Sequence, residues 1–70
     1  MVDMALVQSS NVEAVGYDIE LSELYVRFKS AETYVYQGVP ADVYERMMQS
    51  ASIGSFLAQV VKNVYLFYKL

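Results

Sequence analysis

Hydrophobic and polar positions alternate with a period of two through much of the first half of this chain, and recur with a helical period in the second. LYVRFK (24–29) sets Leu24, Val26 and Phe28 against Tyr25, Arg27 and Lys29, and TYVYQ (33–37) repeats the alternation. Such alternation marks strands with one buried face. VEAVGYDI (12–19) is a further β-rich run, and Met4 to Gln8 forms a weaker one, set off by Ser9, Ser10 and Asn11 as turn residues. The breaks at Glu20 to Glu23 and Ser30 to Glu32 are too short for anything but antiparallel neighbours, so the runs predict a β-meander.

At Gly38 the period changes. Pro40 suits the first turn of a helix, where its missing N–H has no partner to lose, and Asp42 and Glu45 favour the positive end of the helix dipole. Val43, Met47 and Ala51, widened by Tyr44 and Met48, form the apolar stripe of a helix over residues 40–51. Ser52 reads as the N-cap of a second helix, whose apolar face is Phe56, Leu57, Val60 and Val61 and which ends near Lys62 and Asn63. The final VYLFYKL reads as a closing strand or as a continuation of the helix, and its β-branched and aromatic content favours an extended segment. The expected fold is α+β: an antiparallel β-meander of three to four strands with two C-terminal helices packed on one face, forming a single domain over residues 1–70.

Composition modifies this picture in two ways. Of the 70 residues 56% are hydrophobic, which is a large apolar share for a chain that hides only roughly 60% of its unfolded surface. The excess points to a homo-oligomer or to an aromatic surface, since seven of the residues are tyrosines. The chain also has no cysteine and no histidine, which excludes disulfides, thiol nucleophiles, Cys/His zinc sites and a histidine general base. A net charge of −3 predicts weak non-specific affinity for nucleic acid. No apolar run reaches the roughly 18 residues of a membrane span, and MVDMALVQSS lacks the features of a signal peptide, so a cytoplasmic location is expected.

In order and at similar spacing, SSNVEAVGYD, LYVRF, YVY, VPADVY, ASIGSF and then Lys62 and Tyr65 resemble the KTSC domain. That bacterial and phage family is named for its occurrence at the C-terminus of some lysyl-tRNA synthetases, and it also occurs as a single-domain protein. Its YxY motif is matched by Tyr34 and Tyr36, its Val-Pro by Val39 and Pro40, and its Ser-x-Gly by Ser52 and Gly54. The synthetase association implies RNA binding, by analogy rather than mechanism. Two positions depart from the family pattern. Ala31 stands where a turn glycine is usual, which implies a differently built turn because alanine resists positive φ. Ala58 stands where an asparagine is usual, so any ligand contact made by that asparagine is absent.

The role of the two tyrosines depends on hairpin parity. With a three-residue loop centred on Ala31, Phe28 faces Tyr34 and Val26 faces Tyr36, and both rings join the core. With a two-residue turn at Ser30 and Ala31, Arg27 faces Tyr34 and Tyr25 faces Tyr36, which makes an open aromatic and basic stripe with Lys29. Burial of two rings favours the first register, whereas Val35, which that register turns outward, counts against it. The stripe would suit single-stranded nucleic acid, with rings stacking on bases and arginine meeting phosphate.

Asp18, Glu20 and Glu23 read as a solvated turn rather than a cation site, Ser52 as a cap, and Gly54 as a point of close packing in preference to a helix start at Ser52 to Ser55 that presents its N–H groups to a phosphate. No acid–base pair is evident, so the expected function is non-enzymatic, with no cofactor and no metal. It is binding of RNA or a nucleotide ligand through Tyr25, Arg27, Lys29, Tyr34, Tyr36, Lys62 and Tyr65, with Arg27, Lys29, Lys62 and Lys69 gathered on one face. Two alternatives are a protein-interaction or homo-oligomeric assembly module, motivated by VYLFYKL, and a protein that sequesters a small nucleotide in an aromatic pocket at an oligomer interface.

Overall fold

The computed structural model describes residues 2–70. Five strands, β1 (Ala5–Leu6), β2 (Val12–Asp18), β3 (Glu23–Phe28), β4 (Thr33–Gln37) and β5 (Phe67–Lys69), form one antiparallel sheet in the order β1-β2-β3-β4-β5. Between β4 and β5 lie α1 (Ala41–Gln49) and α2 (Ile53–Phe56), and α2 runs directly into a π-helical segment (Leu57–Val61). The architecture is α+β as expected, with one strand more than the alternation alone counted: VYLFYKL returns to the sheet and pairs with β4.

Cross-strand pairing decides which side chains meet the helices. Leu24 lies opposite Tyr36 and Val26 opposite Tyr34, so all four share the helix-facing side of the sheet. They pack there, with Val12 and Val15, against Val39, Val43, Met47, Ile53, Leu57 and Val61. A β-bulge between Val12 and Ala14 explains why the first long run alternates poorly. The extra residue shifts the parity, so Val12 and Val15, three positions apart, both point into the core. Tyr17 extends the same face, stacking on Tyr44 at 5.1 Å while its hydroxyl donates to the Val39 carbonyl.

The hairpin between β3 and β4 keeps the parity and the three-residue loop of the core register, but the loop centres on Ser30 rather than Ala31, so Tyr34 faces Val26 and Tyr36 faces Leu24, a register shift of two residues. The Phe28 amide donates to the Glu32 carbonyl and the Ala31 amide to the Phe28 carbonyl, both at 2.9 Å, closing a loop of Lys29, Ser30 and Ala31. Ala31 therefore takes the left-handed position itself, at φ 77°, rather than forcing another kind of turn.

α1 begins one residue later than expected, with Pro40 as its extended N-cap, and Ser50 closes its far end. The Ser52 hydroxyl accepts from the Ser55 amide at 3.2 Å, which confirms it as the cap of α2. The π turn was not visible in the sequence. It is defined by the Lys62 amide donating to the Leu57 carbonyl, five residues back, at 2.8 Å.

The side of the sheet away from the helices is also covered in part. Residues 2–4 cross it at Gly16, where an added Cβ would lie 2.5 Å from Val2 Cγ1 and 2.6 Å from the Asp3 carbonyl oxygen. Val35 points to this side yet is fully buried, flanked in register by Tyr25 and Tyr68. Its burial removes the objection to the core register, because the outward position is not a wasted one.

Candidate functional site

The residues singled out from sequence do not form one surface. Arg27 pairs with Thr33 and Tyr25 with Val35, which places both on the side away from the helices, whereas Tyr34 and Tyr36 face the helices. Lys29 is exposed in the hairpin loop, and Tyr65 packs half-buried against the core. Lys69 lies opposite Tyr34 and so shares the helix side, which separates it from Arg27. The expected cluster of Arg27, Lys29, Lys62 and Lys69 on one face is therefore not formed.

The basic groups are also less available than their number implies. Arg27 contacts Glu13 at 3.3 Å, Lys69 contacts Glu32 at 2.9 Å, and Arg46 lies 4.0 Å from Asp42. Among the described residues, only Lys29 and Lys62 take part in no ion pair. The carboxylate group near the first hairpin serves the backbone: Asp18 Oδ1 accepts from the amides of Glu20 at 3.0 Å and Leu21 at 3.1 Å. Among the described residues, no cluster of acidic side chains is placed to hold a metal.

What the fold does bring together is Tyr36 and Lys62, at a cavity of about 60 Å³. Asn11, Phe28, Gly54, Leu57 and Ala58 complete its walls. Five elements meet there: the turn before β2, β3, β4, the first turn of α2, and the π-helical segment that continues it. Asn11 is held in place by the Ser9 hydroxyl, which donates to Asn11 Oδ1 at 3.2 Å, and by the Lys29 amide, which donates to the Asn11 carbonyl at 2.9 Å. Gly54 permits this approach, since a Cβ there would lie 2.9 Å from Asn11 Oδ1. The wide π turn places Leu57, Ala58 and Lys62 together on the cavity wall, a role in keeping with the frequent use of such turns at functional sites.

An aromatic row adjoins the cavity. Phe28 meets Tyr34 edge-on at 5.4 Å, Tyr34 stacks on Phe67 at 5.1 Å, and Tyr36 lies 5.6 Å from Phe67. Tyr36 is 2% exposed, whereas Phe67 is 50% exposed, so the row grades from core to solvent. Burial raises the Tyr36 phenol pKa, and the neighbouring Tyr34 adds to the effect, so this hydroxyl keeps its proton and remains a hydrogen-bond donor.

Sequence reasoning missed Asn11 and Phe28 as members of the site, reading the first as a turn residue and the second as core. Position 58 carried the one available signal: the resemblance implies an asparagine there, and the alanine that replaces it lines the cavity.

Comparison with known proteins agrees with the resemblance. The sequence model of the KTSC domain matches residues 8–65. A protein of Tsukamurella paurometabola is 39% identical over 59 residues, covering 84% of this chain and 88% of its own length. An uncharacterized protein of Stutzerimonas stutzeri is 38% identical over 56 residues, covering 80% of this chain and 79% of its own. The crystal structure of a KTSC domain protein from Yersinia pestis superposes with a TM-score of 0.96 at 31% identity, covering 100% of this chain and 99% of that one. With the motif order, the fold and the matched span in agreement, the chain belongs to the KTSC domain family.

Proposed function

We propose that this protein is a non-enzymatic, cytoplasmic binding module that takes the phosphate-bearing end of a nucleotide or an RNA chain at the Asn11–Tyr36–Lys62 cavity. The observation that carries the reading is the placement of Lys62, an unpaired cation among the described residues, on a cavity wall beside a phenol, an amide and a semi-exposed row of rings. A compact anionic group would meet Lys62 and the Tyr36 hydroxyl. An attached base would lie on the outer rings of the row, where stacking contributes about 1–3 kcal/mol. The volume fits a compact group and not a whole nucleotide, because pockets that enclose drug-sized ligands measure roughly 300–1,000 Å³. The site therefore resembles an end-binding cleft more than the enclosing pocket that sequestration would need.

The test is a titration of short single-stranded RNA and of mononucleotides at low and at high salt. The wild type is compared with Lys62→Met, Tyr36→Phe and Arg27→Ala. Lys62→Met is expected to weaken binding about tenfold or more and to reduce the salt slope by about one. Arg27→Ala, on the other side of the sheet, should leave binding unchanged. Absence of binding by the wild type at either salt concentration, or loss caused by Arg27→Ala instead of Lys62→Met, would overturn the proposal.

A further inference from the structure

β5 is the outer strand of the sheet, and apart from Lys69, whose charge is turned to Glu32, the side chains of the strand and of its two flanking residues are apolar for an open edge. Leu66, Phe67, Tyr68 and Leu70 are 79%, 50%, 40% and 67% exposed. Edge strands are normally protected by charge, proline or a bulge, because their free backbone groups template further pairing. The backbone here is poised to pair. The Leu66 carbonyl accepts from the Gln37 amide at 2.8 Å and the Leu70 amide donates to the Thr33 carbonyl at 2.9 Å. Residues 66, 68 and 70 thus turn their backbone groups inward to β4, and Phe67 and Lys69 turn theirs to the open edge.

We infer that two copies of this chain associate through β5, antiparallel about a two-fold axis at Tyr68, joining the two sheets into one of ten strands. The register follows from the free groups. Only pairing of Phe67 with Lys69 of the second copy, and the reverse, uses all four outward amides and carbonyls of each pair of residues. That register also places Tyr68 opposite its own symmetry mate and each Leu66 opposite a Leu70, so three apolar cross-strand pairs align on the side away from the helices. No other two-fold register matches apolar to apolar at all three positions while satisfying both outward residues. Free aromatic side chains present about 150–250 Å², and with leucine taken at the low end of that range the exposed fractions of these four residues supply at most roughly 400 Å² per copy. The resulting total of about 800 Å² is below the roughly 1,200–2,000 Å² of stable complexes, so the dimer is expected to dissociate in the micromolar range or weaker. The other edge, β1, is only two residues long, and β1-to-β5 pairing would be head-to-tail and would grow without closing.

Sedimentation velocity of the whole chain across a wide concentration range reads the assembly, and engineered cysteines read the register, since the sequence has no cysteine of its own. Tyr68→Cys should form a disulfide with its own mate, because facing residues at a non-hydrogen-bonded position have Cα atoms about 4.5 Å apart. Leu66→Cys and Leu70→Cys should cross-link when mixed and not when alone. Lys69→Pro removes an outward amide that the monomer does not use, and should weaken the dimer at least tenfold while leaving the circular dichroism of the monomer unchanged. The inference fails if the wild type remains monomeric at the highest concentration, or if it grows beyond a dimer. It also fails if a dimer forms whose cross-linking pattern differs from this one or which withstands Lys69→Pro.

Discussion

Replacing Ala31 by glycine should stabilise this protein, although the change removes a methyl group and makes the unfolded chain more flexible. Ala31 closes the β3–β4 hairpin at φ 77°, in the left-handed region. An L-residue there places Cβ too close to the following carbonyl, at a cost of about 1–2 kcal/mol. Ala31→Gly relieves that strain and keeps the bond from the residue 31 amide to the Phe28 carbonyl, which belongs to the backbone. Against the gain stands the added freedom of the unfolded state, about 0.4–1 kcal/mol. The balance is a net stabilisation of about 0.5–1 kcal/mol. Gly38 provides the reciprocal test, because it has φ 71° and an added Cβ would meet no atom within 4 Å. Gly38→Ala therefore isolates the backbone term and should cost about as much as Ala31→Gly gains. Urea denaturation measures both, with an unchanged slope required for the comparison to hold. In thermal unfolding, Ala31→Gly should raise Tm by roughly 2–8 °C. If Ala31→Gly destabilises while Gly38→Ala is neutral, left-handed strain does not govern these turns and the reasoning is refuted.

Three further outcomes follow from the packing. Tyr17→Phe keeps the stacked contact with Tyr44 but leaves the Val39 carbonyl without its donor, and should lower stability by about 1–2 kcal/mol in urea titrations. Gly54→Ala displaces only the end of the Asn11 side chain, at the expense of its exposed bond from the Ser9 hydroxyl, and gains helix propensity, so stability should change by less than about 1 kcal/mol, whereas Gly16→Ala meets the Asp3 carbonyl and should cost more than that. The pKa values of Tyr36, Tyr68 and Lys69 are all raised, the first two chiefly by burial and the third by its hydrogen bond to Glu32. A raised value means the folded state holds its proton more tightly than the unfolded one. These contributions are complete below about pH 10 and fall away as pH rises through the folded values. The urea midpoint should be level near pH 8 and decline towards pH 11, less steeply in Tyr36→Phe; a midpoint that rises with pH would contradict the burial argument.

The parts of this fold that were legible in the sequence are those set by local periodicity. The alternation of Leu24, Val26 and Phe28, and of Tyr34 and Tyr36, identified β3 and β4 but left two parities open, between which the burial of the rings decides, and Ser52 marked the start of α2. The bulge near Glu13 escaped because one extra residue breaks the alternation without a composition signal. The exact hairpin register escaped because alanine disguises a left-handed position that glycine would have announced. The cavity escaped for a different reason. Asn11, Tyr36, Gly54 and Lys62 are far apart in the chain, and only the packing of α2 on the turn before β2 brings them together. The supposed basic stripe failed on electrostatics as much as on geometry, because Glu13 and Glu32 already occupy Arg27 and Lys69.

The order of strands in the sheet repeats their order in the chain, and this has a kinetic consequence. β1 to β4 assemble by successive local hairpins, each closing a short loop at small entropic cost. β5 is the exception, since both helical segments separate it from β4 and must be in place before it can dock. The last strand to arrive during folding is then the first to detach in native-state fluctuations, and its amides should exchange with solvent hydrogen well ahead of those in β3.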